Sequence, residues 1–367
     1  MTTDLFRSAL ARMKPYTPGE QPRGGQIVKL NTNENPFPPS PKVVEAIREA
    51  ASGTLNRYPD PMADRFREAA ARVLGLPGPE WILAGNGSDE ILTILVRAFV
   101  GEGQSLRLPY PSYILYRTLA DIQGARWEQR PFQNDWSLDR SFAEAEVSDS
   151  SADTRLLMIP NPNSPSGTVL GSDQIETIAD AFAGVTLVDE AYVDFAENHC
   201  VDLARRHRRV VVSRTFSKSY ALAGIRFGYL VANPDLICEL SKIKDSYNCD
   251  AISIAAATAA IEDQSWLRQC VDRLCAIRDA SHQRFVELGF NVLPSQANFL
   301  WMTHPSGRHR EIYESLKSES ILIRYMDFEG WGDGLRISIG TEEQMDLAID
   351  AIRRALSRLS GQPVTMG

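Results

Sequence analysis

The 367-residue chain has no excess of positive charge: 39 Lys and Arg stand against 47 Asp and Glu, a net charge of −8. A protein that coats nucleic acid or an anionic membrane needs a basic face, so neither partner is expected. Apolar runs are short as well. No stretch of about 18 consecutive apolar residues occurs, and the opening MTTDLFRSALARMKPY has no apolar core of signal-peptide length. The expectation is a cytoplasmic protein without a membrane segment. Cysteine is scarce and odd in number: Cys200, Cys238, Cys249, Cys270 and Cys275 form no CxxC pair and have no histidine spacing to match. That argues against a disulfide framework and a zinc site, and predicts buried free thiols in a reducing compartment and no metal. Only Cys270 and Cys275 are spaced to touch on a helix. The P-loop pattern GxxxxGK[ST] is missing, and Gly85-Asn86-Gly87-Ser88-Asp89-Glu90 has Glu90 where a dinucleotide loop has its third glycine. A P-loop NTPase and a Rossmann dehydrogenase are both disfavoured. No internal repeat or low-complexity tract occurs.

What is present is an apolar fraction of 43%, enough to bury one large core and a smaller one. Residues 15–41 are dense in Pro, Gly and Asn and predict an irregular arm with one short strand over 27–30. Behind it, helix-like segments at 41–51, 62–74 and 88–100 alternate with strand-like runs at 81–84, 105–108, 155–159, 185–188, 210–213 and 227–231. That alternation predicts an α/β fold with a largely parallel central sheet flanked by helices. Helical stretches at 235–244 and 254–288 then lead to NVLPSQANFLWM, ILIRYM, GLRISIG and a last helix over 342–357. The expected division is an arm over 1–40, a large domain over 41–275 and a smaller α/β domain over 276–367.

The segment 213-SRTFSKSYALAGIRFGYL-230 sets Lys218 among hydroxyls, away from any basic patch. A desolvated lysine forms Schiff bases with carbonyl groups, pyridoxal phosphate included, although a solvated lysine at a helix start reads the same from these letters alone. Pyridoxal phosphate also needs a carboxylate against its ring nitrogen. Asp189 in GVTLVDEAYVDF ends an apolar strand, where ligands of open α/β sheets collect, and Tyr192 follows it within reach of a ring hydroxyl. A metal or Walker-B role for Asp189-Glu190 lacks a partner motif. The turn before Ser88 and Asp89 opens a helix whose N–H groups can face a phosphate, and Ser88 serves equally as an N-cap. Thr215, Ser217 and Arg226 can complete that cradle, and Tyr113 of YPSY can lie against a flat ring or simply fill the core. Arg336 in GLRISIG and Arg324 in ILIRYM lie in apolar strands and need an anion, either a substrate's or an Asp or Glu of the protein itself.

Taken in order, NENP, NRYPD, GNGSDE, YPSY, NPNSPSG, VDEAY, SRTFSKSYALAGIRFGY and LRISIGT resemble the fold-type-I pyridoxal-phosphate-dependent aminotransferases, and within them the histidinol-phosphate branch. The resemblance runs from Tyr16 to Gly340. It implies that Lys218 bonds the cofactor and shuttles a proton, that Asp189 holds the pyridine nitrogen, Tyr192 the phenolic oxygen, and that Tyr113 lies on the ring. Ser88, Asp89, Thr215, Ser217 and Arg226 would hold the cofactor phosphate, and Tyr58 would reach in from the second subunit of a homodimer. Tyr16, Asn35, Tyr58, Arg324 and Arg336 would meet the small-molecule amino donor and 2-oxo acid. The family reads Asn-Asn-Pro-Thr-Gly where this chain has Asn163-Ser164-Pro165-Ser166-Gly167, so Ser164, or Asn163 by a backbone adjustment, would replace the amide that bonds the phenolic oxygen. Other readings of the same letters are an aromatic amino-acid aminotransferase, a threonine-phosphate decarboxylase-like lyase and, more remotely, a cofactor-binding regulator.

Overall fold

The computed structural model describes residues 5–6, 13, 20, 27–144 and 153–360. Its strands in chain order are β1 (Val28–Lys29), β2 (Ile82–Gly85), β3 (Ser105–Tyr110), β4 (Arg126–Pro131), β5 (Thr154–Pro160), β6 (Val185–Asp189), β7 (Val210–Thr215), β8 (Gly228–Val231), β9 (Asn291–Val292), β10 (Phe299–Thr303), β11 (Ile321–Leu322), β12 (Arg324–Phe328) and β13 (Gly332–Ser338). Seven of them form one sheet in the order β2-β8-β7-β6-β5-β3-β4. The run from β7 to β4 is parallel, and β8 is antiparallel to both its neighbours.

The central strands are apolar on both faces because helices cover both. Leu157, Ile159, Val188, Val210 and Val212 enter one buried cluster, while Leu156, Met158, Leu187 and Val211 enter the other. Successive residues alternate between the two layers, as the pleat of a strand requires. The helices Ser88–Phe99 and Leu115–Gln123 bury Ile91, Leu92, Leu95 and Tyr116 on one side. On the other side Phe66 of Asp64–Leu74 and Ala256, Ala257 and Ile261 of Ala251–Glu262 fill the second layer. β4 (RWEQRP) is the sheet's edge and shows no apolar alternation, so the pattern did not predict it.

The later part of the chain forms an antiparallel sheet β12-β13-β10-β9. Its apolar side, with Leu300, Met302, Leu335 and Ile337, packs with Leu274 and Phe285 of the helix Gln264–Glu287 and with Met345 and Ile349 of the helix Glu342–Ser360. β1 pairs in parallel with β11, so the start of the described chain is stitched to this later part and Leu30 joins its cluster. The expected single helix over 254–288 is two helices, Ala251–Glu262 and Gln264–Glu287, separated at Asp263. The Asp263 carboxylate accepts Ser40 Oγ at 2.5 Å and Lys42 Nζ at 3.0 Å, a tertiary tie that no local periodicity records. The helix expected over 235–244 ends at Leu240. The anticipated division at 275/276 lies within Gln264–Glu287, where Leu274 and Ile277 share one cluster. All five cysteines are free; Cys200 and Cys249 are buried, whereas Cys238 is exposed, against expectation. Among the described residues no helix is long and apolar enough to cross a membrane.

Candidate active site

Four parallel strands, β3, β5, β6 and β7, deliver their carboxyl ends to one cavity of about 280 Å³, the rim at which α/β sheets collect ligands. Ser88, Asp89, Tyr113, Ser164, Asp189, Tyr192, Thr215, Ser217, Lys218, Arg226, Arg324 and Arg336 all line it. Twelve positions chosen from separate motifs therefore share one enclosure.

At one end stands the amino terminus of the helix Ser88–Phe99, whose N-cap residue Gly87 offers no side chain. Gly87 has a φ of +80°, and a Cβ there would come within 2.6 Å of Arg226 Nη2. Only glycine lets the guanidinium lie against the turn. Arg226 Nη1 donates to Ser217 Oγ at 3.3 Å, Nη2 lies 3.5 Å from Asp89 Oδ2, and Ser217 Oγ accepts Thr215 Oγ1 at 3.1 Å. Helix dipole, hydroxyls and guanidinium face the same space, the composition of a phosphate cradle. Glu90, the residue in the third-glycine place, accepts Asn86 N–H and Asn248 Nδ2 and so braces the turn.

In the middle, Asp189 ends β6 and is buried. Tyr116 Oη donates to its Oδ2 at 2.7 Å and Ser213 Oγ to its Oδ1 at 3.0 Å. Burial pushes the carboxyl above its usual range, while these two donors pull it back. A cation seated beside it would relieve the same penalty. Burial and Asp189 together hold the Tyr116 phenol well above its ordinary pKa, so it stays a donor. The Tyr113 ring stands edge-on to Tyr116 at 5.5 Å. Lys218 Nζ donates to Thr32 O at 3.4 Å and lies 5.6 Å from the centre of the Tyr192 ring.

At the far end, Arg324 and Arg336 are directly opposite each other on β12 and β13. Arg336 Nη1 donates to Ser164 Oγ at 2.9 Å and Nη2 to Asn31 O at 3.2 Å. The Arg324 side chain has no hydrogen bond or ion pair with any described residue. Two guanidiniums on neighbouring strands raise each other's cost and lower it for an incoming anion.

Three candidates stand outside the cavity and one lies outside the described residues. Asn163 is buried behind it, donating to Pro111 O at 3.3 Å and Ser166 Oγ at 2.9 Å. Asn35 Nδ2 donates to Ser219 O at 3.0 Å, tying the NENP turn to the residue after Lys218. Tyr58 is 79% exposed and stacks on Tyr247 at 4.3 Å. Tyr16 is not among the described residues. The sequence did not single out Tyr116, Ser213, Asn33 or Thr32. Tyr116 follows Tyr113 by three positions at a helix start, a same-face spacing that was there to be read. Ser213 sits opposite Asp189 in the β6–β7 register, which only the strand order reveals.

The family model for aminotransferase class I and II matches residues 25–352. The chain is 61% identical to the histidinol-phosphate aminotransferase of Rhodopirellula baltica over 97% of each chain, and 44% identical to histidinol-phosphate aminotransferase 1 of Trichormus variabilis over 96% of this chain and 99% of that one. Among solved structures, the histidinol-phosphate aminotransferase of Sinorhizobium meliloti in complex with pyridoxal-5′-phosphate superposes with a TM-score of 0.83, at 28% identity, over 90% of this chain and 91% of the other.

Proposed function

The chain belongs to the class I and II aminotransferases, and from that membership we propose that it moves the amino group of histidinol phosphate to 2-oxoglutarate, giving imidazole-acetol phosphate and glutamate, with pyridoxal 5′-phosphate as cofactor. The observation that carries the specificity is the Arg324–Arg336 pair opposite each other in the same cavity as Lys218 and Asp189. A phosphorylated donor and a dicarboxylate acceptor must take turns there, and both are rich in negative charge.

The residues fit the cofactor. A lysine, a buried carboxylate and an uncapped helix terminus with an adjoining guanidinium are the three features its aldehyde, ring nitrogen and phosphate demand. Bound pyridoxal phosphate supplies the electron sink that weakens the donor's Cα–H bond. Ser88, Asp89, Thr215, Ser217 and Arg226 would hold the phosphate, and Tyr113 would cover the ring. Asp189, which accepts two hydroxyl donors, would be the carboxylate facing the ring nitrogen. Tyr192 bonds the phenolic oxygen. Lys218 Nζ would hold the aldehyde carbon with loss of water, and, once the donor's amino group has taken that place, its free amine would be the base for the Cα proton. Arg336 and Arg324, opposite each other in the cavity, would orient the substrate's anion.

The working unit in this reading is a cytoplasmic homodimer. Tyr58 lies outside its own chain's cavity, with Leu55 and Tyr247 also exposed near it in the fold, the posture of a ring offered to a second copy. We take 41–275 as the cofactor-holding part and 276–367 as the smaller part, with the arm 1–40 packing on the smaller part or the partner subunit. Leu30 shares a cluster with Leu300 and Leu335, which supports grouping the arm with the smaller part.

The deciding experiment is a substrate panel with purified protein and added cofactor. Glutamate formed from 2-oxoglutarate fastest with histidinol phosphate supports the proposal. Faster turnover of aromatic amino acids would reassign the donor, and carbon dioxide release from threonine phosphate would make the protein a lyase.

A further inference from the structure

Asn33 lies in the turn after β1 with a φ of +54° and is buried. Its N–H donates to Ser338 Oγ at 2.8 Å, Ser338 Oγ donates back to Asn33 Oδ1 at 3.0 Å, its carbonyl accepts Asn298 Nδ2 at 3.0 Å, and its Nδ2 donates to Tyr192 Oη at 3.0 Å. The direction of the last bond follows from the others. A hydroxyl has a single proton, and buried Ser338, already accepting the Asn33 N–H, has Asn33 Oδ1 to receive it. Turning the amide over would set Nδ2 against Ser338 Oγ and strand that proton in the interior, which is costly. Nδ2 therefore faces Tyr192, Tyr192 Oη accepts, and the proton of Tyr192 remains free for a group in the cavity.

Ser164, where the resemblance expects an amide, has a shorter side chain held by the substrate-end guanidinium. Ser164 Oγ accepts from Arg336, so it is drawn toward the substrate's end of the site. β13 carries both Arg336 and Ser338, two positions apart and hence on one face. One strand thus sets the substrate guanidinium directly and the Tyr192 hydroxyl through Asn33.

We propose that Asn33 is a positioning residue for the cofactor's phenolic oxygen, holding the Tyr192 hydroxyl as a donor and making up for the amide that Ser164 lacks. The proposal rests on the role given to Tyr192 above. Asn33 acts through Tyr192, so its effect must vanish when the Tyr192 hydroxyl is gone.

The test is a double-variant cycle on cofactor affinity: apo-protein is titrated with pyridoxal phosphate, and thermal melting of each apo-protein checks its fold. Asn33→Gly suits the positive φ and removes the amide. Asn33→Gly and Tyr192→Phe should each weaken cofactor binding about tenfold, the worth of one hydrogen bond to a charged oxygen. The double variant should be no weaker than Tyr192→Phe alone. Asn33→Asp, an acceptor in the same place, should also weaken binding, and Ser338→Ala should weaken it less. Losses that multiply to about a hundredfold in the double variant, or an Asn33→Gly protein that binds as wild type does, would overturn the proposal. Wild-type protein that binds no pyridoxal phosphate would instead overturn the functional reading beneath it.

Discussion

The two ends of the cavity handle charge in opposite ways. At the sheet end Asp189 accepts hydrogen bonds from Tyr116 and Ser213, and Arg226 lies against Asp89 and Ser217. At the end built by β12 and β13, Arg324 and Arg336 stand opposite each other; Arg336 donates to a serine hydroxyl and a backbone carbonyl among its contacts, and no side-chain hydrogen bond or ion pair joins Arg324 to a described residue. The first arrangement suits a guest that stays, since its polar groups are held in place before it arrives. The second suits anions that must come and go, because the attraction is strong only while an anion is present.

Substitutions should divide along the same line. Lys218→Ala should cut turnover by at least about 10⁴-fold, the upper range for a positioned proton-transfer group, while the apo-protein melts where wild type does, because Lys218 contributes little more than a 3.4 Å bond to Thr32 O. Arg336→Ala should lower kcat/KM about a hundredfold, the scale of a charged hydrogen-bonding pair, and leave pyridoxal phosphate affinity as it was. If cofactor affinity falls too, the two ends are not independent. Arg226→Ala should do the reverse, weakening cofactor binding ten- to about a hundredfold, and saturating cofactor should restore most of the activity. Arg324→Gln should raise KM for the doubly charged acceptor about tenfold or less, since Arg336 remains. Ser164→Ala should change KM only a few-fold, about the net worth of one hydrogen bond; a larger change in cofactor affinity than in KM would move Ser164 back to the cofactor's end.

How far the letters alone reached follows the same division. Asp189 and Ser88 were legible because one ends a strand and the other opens a helix, and Lys218 because it lies three residues past the end of β7; strand ends converge in any parallel sheet. The alternation of strands and helices likewise announced the central sheet. Ser213 went unseen because its work is done across the sheet: it becomes a partner of Asp189 only once β6 and β7 are known to be neighbours. Asn33 depends on still longer reach, since Ser338 lies 305 residues away along the chain. The break at Asp263 and the charged edge strand β4 failed for a related reason. Periodicity reports which face is buried, and neither a tie to Ser40 nor an edge position leaves a mark on it.

The claim on which the rest depends is that the Lys218 amine bonds a vitamin-B6 aldehyde within reach of Asp189. Reducing the pyridoxal-phosphate-loaded protein with borohydride and mapping its peptides by mass spectrometry tests that bond directly. The account predicts a single cofactor fixed to the peptide containing Lys218, and none when residue 218 is alanine. A cofactor fixed to a different lysine, or no fixed cofactor at all, would contradict it.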